Sequence, residues 1–478
     1  MKTNNFSVLY SIAILVPILL NSCKKDHPGS PLNTSSSAVT IFETTADQTK
    51  LLEQQPTIKF APDSSSNANN TITVDEGTTY QTIDGFGFAL TDASAIVIDG
   101  LSAGQQTALL QELFAPTGDG ISSSYLRIGI GAEALSLSDY TYDDLSSGTD
   151  DNLTSFSLSP SMPDLIPVLK KIVAINPNIK ILASPFSPPA WMKTNNKLVG
   201  GTLKTSSYPI YANYLVKYIQ AMQAQGIPID AITPQNEPRD STEDPSMRFK
   251  ADEEANFIKN NLGPAFKSAG LKTKIICYDH NCDDPDYPRA VLSDTGAFAY
   301  TDGSAFHFYA GLITALSVVH NAYPTKNIYF TEQYTSSNGT FAGYLESQTS
   351  NLIMGATRNW SRNVIGWTLA GDANNGPHKP DGCQDCLPAI TISSTIKRNI
   401  QYYVFAHASK FVHPGAVRIS SNITGDIQNV AFKNTDNSKV IIVLNSGTIT
   451  ENFKVKWGTE SFSYSLPAGA VATFKWQG

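Results

Sequence analysis

Charge is scarce in this sequence. Asp, Glu, Lys and Arg make up 16% of its 478 residues, and acids outnumber bases 42 to 34, for a net charge of −8. That balance argues against a polyanionic partner, because phosphate binding draws on clustered basic side chains, and a nucleic-acid function is excluded on this ground. Also missing is an apolar run of comfortable membrane length. The apolar run from Phe6 to Leu20 falls short of the roughly 20 residues that a spanning helix uses. Cysteine is rare, five in all, and no short internal repeat is visible. What is present is a hydrophobic fraction of 41% with 10% aromatics, enough for a sizeable core. The 20 Tyr and 22 Phe, with abundant Gly and Asn, suit a surface that stacks on neutral, hydroxyl-rich ligands. The length fits a large α/β barrel with an appendage.

Lys2, the run Phe6–Leu20 and then Leu-Asn-Ser-Cys at 20–23 resemble a bacterial lipoprotein signal, with Cys23 lipidated as the mature N-terminus. The competing reading is a plain secretory signal cleaved nearby. Either one carries the protein out of the cytoplasm. We therefore expect a signal over 1–22, a polar Ser/Thr-rich tether over 23–50, and a protein exported across the inner membrane. Its only membrane contact would be the lipid anchor, and it is expected to be a monomer. Four cysteines then remain in a compartment where disulfides persist. Cys277 and Cys282 sit five residues apart in KIICYDHNC. On a strand that is roughly 16 Å, too far for a disulfide. Cys383 and Cys386, in DGCQDCLP, close on each other easily. A metal site of His378, Cys383 and Cys386 is the alternative, and it lacks an obvious fourth ligand.

Strand-like apolar runs recur at 83–90, 123–131, 179–186, 229–236, 273–281, 303–309, 327–334 and 363–370. Helical patterns with apolar residues at i, i+3 and i+4 lie between them, at 163–175, 207–224 and 251–269, with a last one at 399–411. Near-continuous strands alternating with amphipathic helices imply a parallel sheet, and eight such units close into a (β/α)8 barrel. Beyond it come short alternating runs split by turn residues, AVRISS to AVATFKW, and TIKFAP and TITVDE before the barrel look similar. The expected architecture is thus a barrel over 81–412 flanked by one β-sandwich, built from 51–80 and 413–478.

Catalytic side chains of such barrels come from the C-terminal ends of strands. Glu237 ends the fourth run, in ITPQNEP, and Glu332 ends the seventh, in YFTEQY. Two carboxylates facing each other across a mouth are the minimum apparatus for glycoside hydrolysis. Two salt-bridged glutamates at loop starts would be the bland alternative, and their shared barrel face favours the catalytic one.

The motifs QTIDGFGFALTDASA, YLRIGIG, ILASPFSPPAWMKTN, ITPQNEP, IICYDHN, FHFYAG, YFTEQY and IGWTLAGDANNGPH occur in that order. From about residue 57 onward the chain resembles glycoside hydrolase family 30, the glucosylceramidase and endo-β-1,6-glucanase family. The resemblance implies a retaining mechanism with Glu237 as acid/base and Glu332 as nucleophile, and no metal or organic cofactor. It implies that Asn236 bonds the sugar 2-OH, that Asp92 grips outer hydroxyls, that His307 and Tyr309 line the site, and that Trp367 is a platform for the pyranose. It also implies that Arg127 steadies a catalytic carboxylate. An N-cap is the competing role for Asp92, and core packing the competing role for His307 and Trp367. The charge of Glu332 is expected to raise the pKa of Glu237, and loss of that charge in the glycosyl ester to lower it again.

Two positions depart from the family pattern. Phe186 stands where many relatives have Trp, which removes an N–H donor. Cys282 replaces a larger residue, which is expected to widen one side of the cleft. The expected substrate is a carbohydrate with a β-glucosidic bond, foremost β-1,6-glucan. The alternatives are a xylanase, a galactanase, a glucosylceramidase or a glycan-binding lipoprotein without activity.

Overall fold

Strands that are apolar along both faces need cover on both, and a closed barrel wrapped in helices provides it. The computed structural model describes residues 37–63, 70–242 and 244–478. Its barrel strands are Gly85–Ala89, Tyr125–Gly129, Lys180–Ser184, Ala231–Ile232, Lys274–Cys282, Thr301–Gly311, Asn327–Glu332 and Asn363–Gly366. They run parallel and in chain order around the sheet. The eighth pairs with the first, and bridges Ile328–Ser361 and Tyr334–Trp367 join it to the seventh. Each strand falls on one of the eight apolar runs.

The barrel helices include Leu165–Ile175, Tyr208–Ala224 and Ile400–Ser409. The pattern over 251–269 is not one regular helix. It runs as Ala251–Phe257, a π-helical stretch Ile258–Leu262, and Gly263–Ser268. Pro264 lacks an N–H and its ring crowds the carbonyl four residues back, and a π-turn is a common way to absorb such a break. Among the described residues no helix is long and apolar enough to cross a membrane.

The second layer is a ten-stranded sheet built from both chain ends. The strand Lys439–Asn445 is buried at every position. Its odd-numbered Ile441 and Val443 join the sandwich's own core with Val39, Ile41 and Phe474, while Val440, Ile442 and Leu444 join the barrel's. The period-2 alternation of a strand thus serves both domains. The signal and Cys23 lie outside the described residues. The tether expected over 23–50 is corrected at its end, because Ala38–Thr44 is a strand paired with both Glu53–Lys59 and Val471–Trp476. Val39 and Ile41 are fully buried. The Ser/Thr content of this segment masked a short alternating pattern that only a partner strand makes decisive.

The helix Ile400–Ser409 lies between the two layers, and its fully buried His407 ties them together. Nδ1 is 2.8 Å from Thr473 Oγ1 and Nε2 is 2.9 Å from Thr44 Oγ1. Thr473 donates its own hydroxyl hydrogen to the His407 carbonyl, so it accepts from Nδ1–H, and in the neutral ring Nε2 accepts from the Thr44 hydroxyl. Burial pushes the imidazole down to about 3. A histidine depressed in the native state binds its proton only on unfolding, so stability falls as pH drops from about 6.5 towards 3. The limiting slope is about 1.4 kcal/mol per pH unit. We expect His407 to account for roughly 3 kcal/mol of lost stability between pH 7 and 4. His407→Gln should flatten that part of the profile. Urea midpoints measured across this range check it, and equal pH slopes for the two proteins would refute it.

Candidate active site

Inside the barrel one layer is apolar, and the residue two positions further along most strands is polar. Tyr125, Leu182, Ala231, Ala305 and Tyr329 pack together. Two residues on come Arg127, Ser184, Thr233, His307 and Thr331. On the first strand the register is held by Gly87, where an added Cβ would collide with the Tyr125 carbonyl. On the fifth strand, Tyr278 and Asp279 have positive φ (77° and 55°), and the pairing with the sixth strand shifts there. This local bulge aims Asp279 inward among the polar layer.

Asp279 is wholly buried and saturated. Its Oδ2 accepts from Arg127 Nη2 (2.9 Å), Ser184 Oγ (2.8 Å) and Thr233 Oγ1 (2.9 Å). Its Oδ1 accepts from Thr331 Oγ1 (2.6 Å) and lies 3.1 Å from His307 Nε2. Burial opposes its charge, but the Arg127 guanidinium and His307 outweigh it and hold the carboxyl well below the usual range. Arg127, equally buried, also donates from Nη1 to Glu332 Oε2 (2.5 Å) and from Nη2 to Asn236 Oδ1 (2.6 Å). With its carbonyl taken, Asn236 has only its amide N–H groups to offer the cleft.

Glu332 takes a second donor, Tyr309 Oη, at 3.0 Å. Glu237 follows the fourth strand in a left-handed turn (φ 44°), its N–H donating to the Asp279 carbonyl at 3.0 Å. Its Oε1 lies 2.8 Å from His307 Nδ1, which is also 3.6 Å from Glu332 Oε1. The two glutamate oxygens are therefore at most 6.4 Å apart, the sum of 2.8 and 3.6. The expectation that Glu332 raises Glu237 is corrected. Burial does push Glu237 up, but the imidazoles of His280 and His307 beside it pull further, leaving it below the ordinary value. Burial lowers His307 too, yet Glu332, Asp279 and Glu237 drive it up to about 10. Since Nε2–H faces the ionised Asp279, a proton between Nδ1 and Glu237 is shared by that pair.

Glu237 and Glu332 border a cleft of about 350 Å³, with Phe186, Asn236, Tyr309, Tyr334 and Trp367 in its walls, whereas His307, expected to line the site, is fully buried behind the two carboxylates. Phe186 and Trp367 lie 6.0 Å apart, and Arg127 sits over both rings at 5.7 and 5.9 Å. The loop after the eighth strand forms another wall with Asp381, Cys383, Asp385 and Cys386. Cys383 and Cys386 are joined in a disulfide, and His378 Nδ1 faces the Lys379 carbonyl, so no metal site forms there.

Two further expectations are not met. Asp92 does not border this cleft. Its carboxylate accepts from Ser136 Oγ (2.6 Å) and Tyr140 Oη (3.0 Å) and faces a neighbouring hollow. The adjoining helix is capped by Thr91 rather than Asp92. Beside it the buried Glu133, pushed up to about 8 by burial and by Asp92, accepts the N–H groups of Asp92 and Leu135. Cys282 does not widen the cleft either, because its thiol is buried against the His307 carbonyl. Conversely, Asp279, His280 and Tyr334 were not singled out in the sequence. A carboxylate inside the apolar run IICYDHN was the available signal.

Residues 83–412 match the Glycosyl hydrolase family 30 TIM-barrel domain, and 415–474 match the family's beta sandwich domain. An Endo-1,6-beta-D-glucanase of Neurospora crassa is 38% identical, over 79% of this chain and 82% of its own. Putative glucosylceramidase 4 of Caenorhabditis elegans is 30% identical, over 88% and 84%. Among solved structures, the endo-beta1,6-glucanase BT3312 superposes with a TM-score of 0.85 at 35% identity, covering 92% of this chain and 99% of that one.

Proposed function

The chain belongs to glycosyl hydrolase family 30, and from that membership we propose that it is an endo-β-1,6-glucanase using Glu237 as acid/base and Glu332 as nucleophile. One observation carries the assignment of roles: both carboxylates converge on a single imidazole, at 2.8 and 3.6 Å from His307 Nδ1. Double displacement is carried by membership of the family, and the Oε1 atoms, at most 6.4 Å apart, are compatible with it. Arg127 and Tyr309 hold Glu332 oriented towards the anomeric carbon. The proton for the departing oxygen is held in the Glu237–His307 contact, with Asp279 fixing the far side of the ring. As Glu332 becomes an ester its charge disappears, and Glu237 then serves as base for the incoming water.

The choice of glucan rests on the endo-1,6-glucanases named above, 35–38% identical to this chain. The cleft lends support. Asp240, Asp244, Asp381 and Asp385 border it, and Lys379 nearby is consumed by Asp139, Asp244 and Asp381. Such a rim repels uronate-bearing xylans and accepts a neutral glucan. Incubation with β-1,6-glucan, β-1,3-glucan, xylan, galactan and glucosylceramide tests the substrate. Release of xylose or galactose products with no action on glucosides would discard it. Proton NMR of the first-formed product should show the β-anomer, whereas an initial α-product would overturn the mechanism. We also propose anchorage to a bacterial membrane through a lipid on Cys23. Radiolabelled palmitate should be incorporated by the parent and not by Cys23→Ala.

A further inference from the structure

We propose that Glu237, His280 and His307 form a three-point site for a transition-metal dication, Zn2+ or Cu2+, and that its occupation shuts off catalysis by capturing the acid/base carboxylate. The three donor atoms are Glu237 Oε1, His307 Nδ1 at 2.8 Å from it and His280 Nδ1 at 3.4 Å, all within 4.8 Å of one another. Atoms so spaced lie within a few tenths of an ångström of an arrangement that puts one ion about 2.0–2.2 Å from each, the bond lengths zinc makes to imidazole and carboxylate.

Two features separate this trio from an ordinary polar cluster. His280 Nδ1 is buried and, despite its 3.4 Å approach to Glu237, makes no aligned hydrogen bond among the described residues. A buried ring nitrogen left so is costly, and a metal ion would satisfy it. His307 is oriented by Asp279 on its other nitrogen, at 3.1 Å, which is the carboxylate–imidazole support that metal-bound histidines characteristically have. Charge points the same way. Three carboxylates, Glu237, Glu332 and Asp279, surround the Arg127 guanidinium and the one proton held between Glu237 and His307, and a dication that displaces this proton leaves the cluster neutral. Glu237 borders the cleft, which gives the ion a path in and room for a bound water. Two imidazoles and one carboxylate select Zn2+ and Cu2+ over Mg2+ and Ca2+, which favour all-oxygen sites.

Titration calorimetry with ZnCl2 in a non-chelating buffer should show one ion bound per chain. Hydrolysis of an aryl β-glucoside should fall in step with occupancy and return on adding EDTA, while MgCl2 does nothing. His280→Gln and, separately, the shape-preserving Glu237→Gln should each weaken Zn2+ binding at least ~10-fold. Cys282→Ala, next to the cluster, should leave it unchanged. Absence of stoichiometric binding would overturn the proposal. So would binding that survives both substitutions, binding lost only with Cys282, or full occupancy with undiminished turnover. The calorimetric arm needs no substrate, so it stands apart from the glucan assignment.

Discussion

Glu332→Gln is expected to lower kcat by at least ~10⁴-fold, the order of loss seen when a nucleophile is removed from an enzyme that works through a covalent intermediate. The amide keeps the size of the carboxylate but cannot attack an anomeric carbon. The fold should persist with a modest penalty. Arg127 Nη1 and Tyr309 Oη now donate to different oxygens of Glu332, and an amide offers only one, so one donor loses its acceptor at a cost of about 1–3 kcal/mol. Steady-state kinetics on an aryl β-glucoside, with circular dichroism as the folding control, measure both effects. A variant that folds and keeps kcat within tenfold of the parent would remove Glu332 from the nucleophile's role.

Glu237→Ala is expected to behave differently on different leaving groups. With the polysaccharide, whose departing alkoxide needs a proton, loss of general acid catalysis should cost ~10²–10⁴-fold. With an activated aryl glucoside the first step survives, and the ester on Glu332 then accumulates because no base activates water. Azide, a small anion, should enter the space beside His280 and His307 vacated by the carboxylate, and release a β-glucosyl azide. Restoration of turnover with that product identifies the acid/base. An inactive variant that azide does not rescue, on any aryl glycoside the parent cleaves, would count heavily against the assignment.

The barrel was legible because its strands are apolar on both faces, and little else in a chain of this composition reads that way. The placement of Glu237 and Glu332 followed from strand counting alone. What escaped depended on neighbours that only folding assembles. The basicity of Glu237 is governed by two imidazoles arriving from the fifth and sixth strands, whereas the sequence suggested only a second glutamate. Asp92 turns on its contacts with Ser136 and Tyr140 in the loop after the second strand, a geometry no periodicity encodes. Asp279 was hidden by the positive φ values at positions 278 and 279, which break the alternation that would otherwise have announced an inward side chain.

The strand Ala38–Thr44 hydrogen-bonds to Val471–Trp476, so the order of synthesis opposes the order of pairing. A ribosome making ~5–20 residues per second needs on the order of 20–90 s to deliver the partner strand. Throughout that interval Ala38–Thr44 can pair on one side with Glu53–Lys59, but its other edge stays open, a ready template for pairing with another chain. Shortening the C-terminus by a single strand would make the condition permanent. Such a truncation should therefore reveal itself as aggregation of newly made protein, well before any question of activity arises.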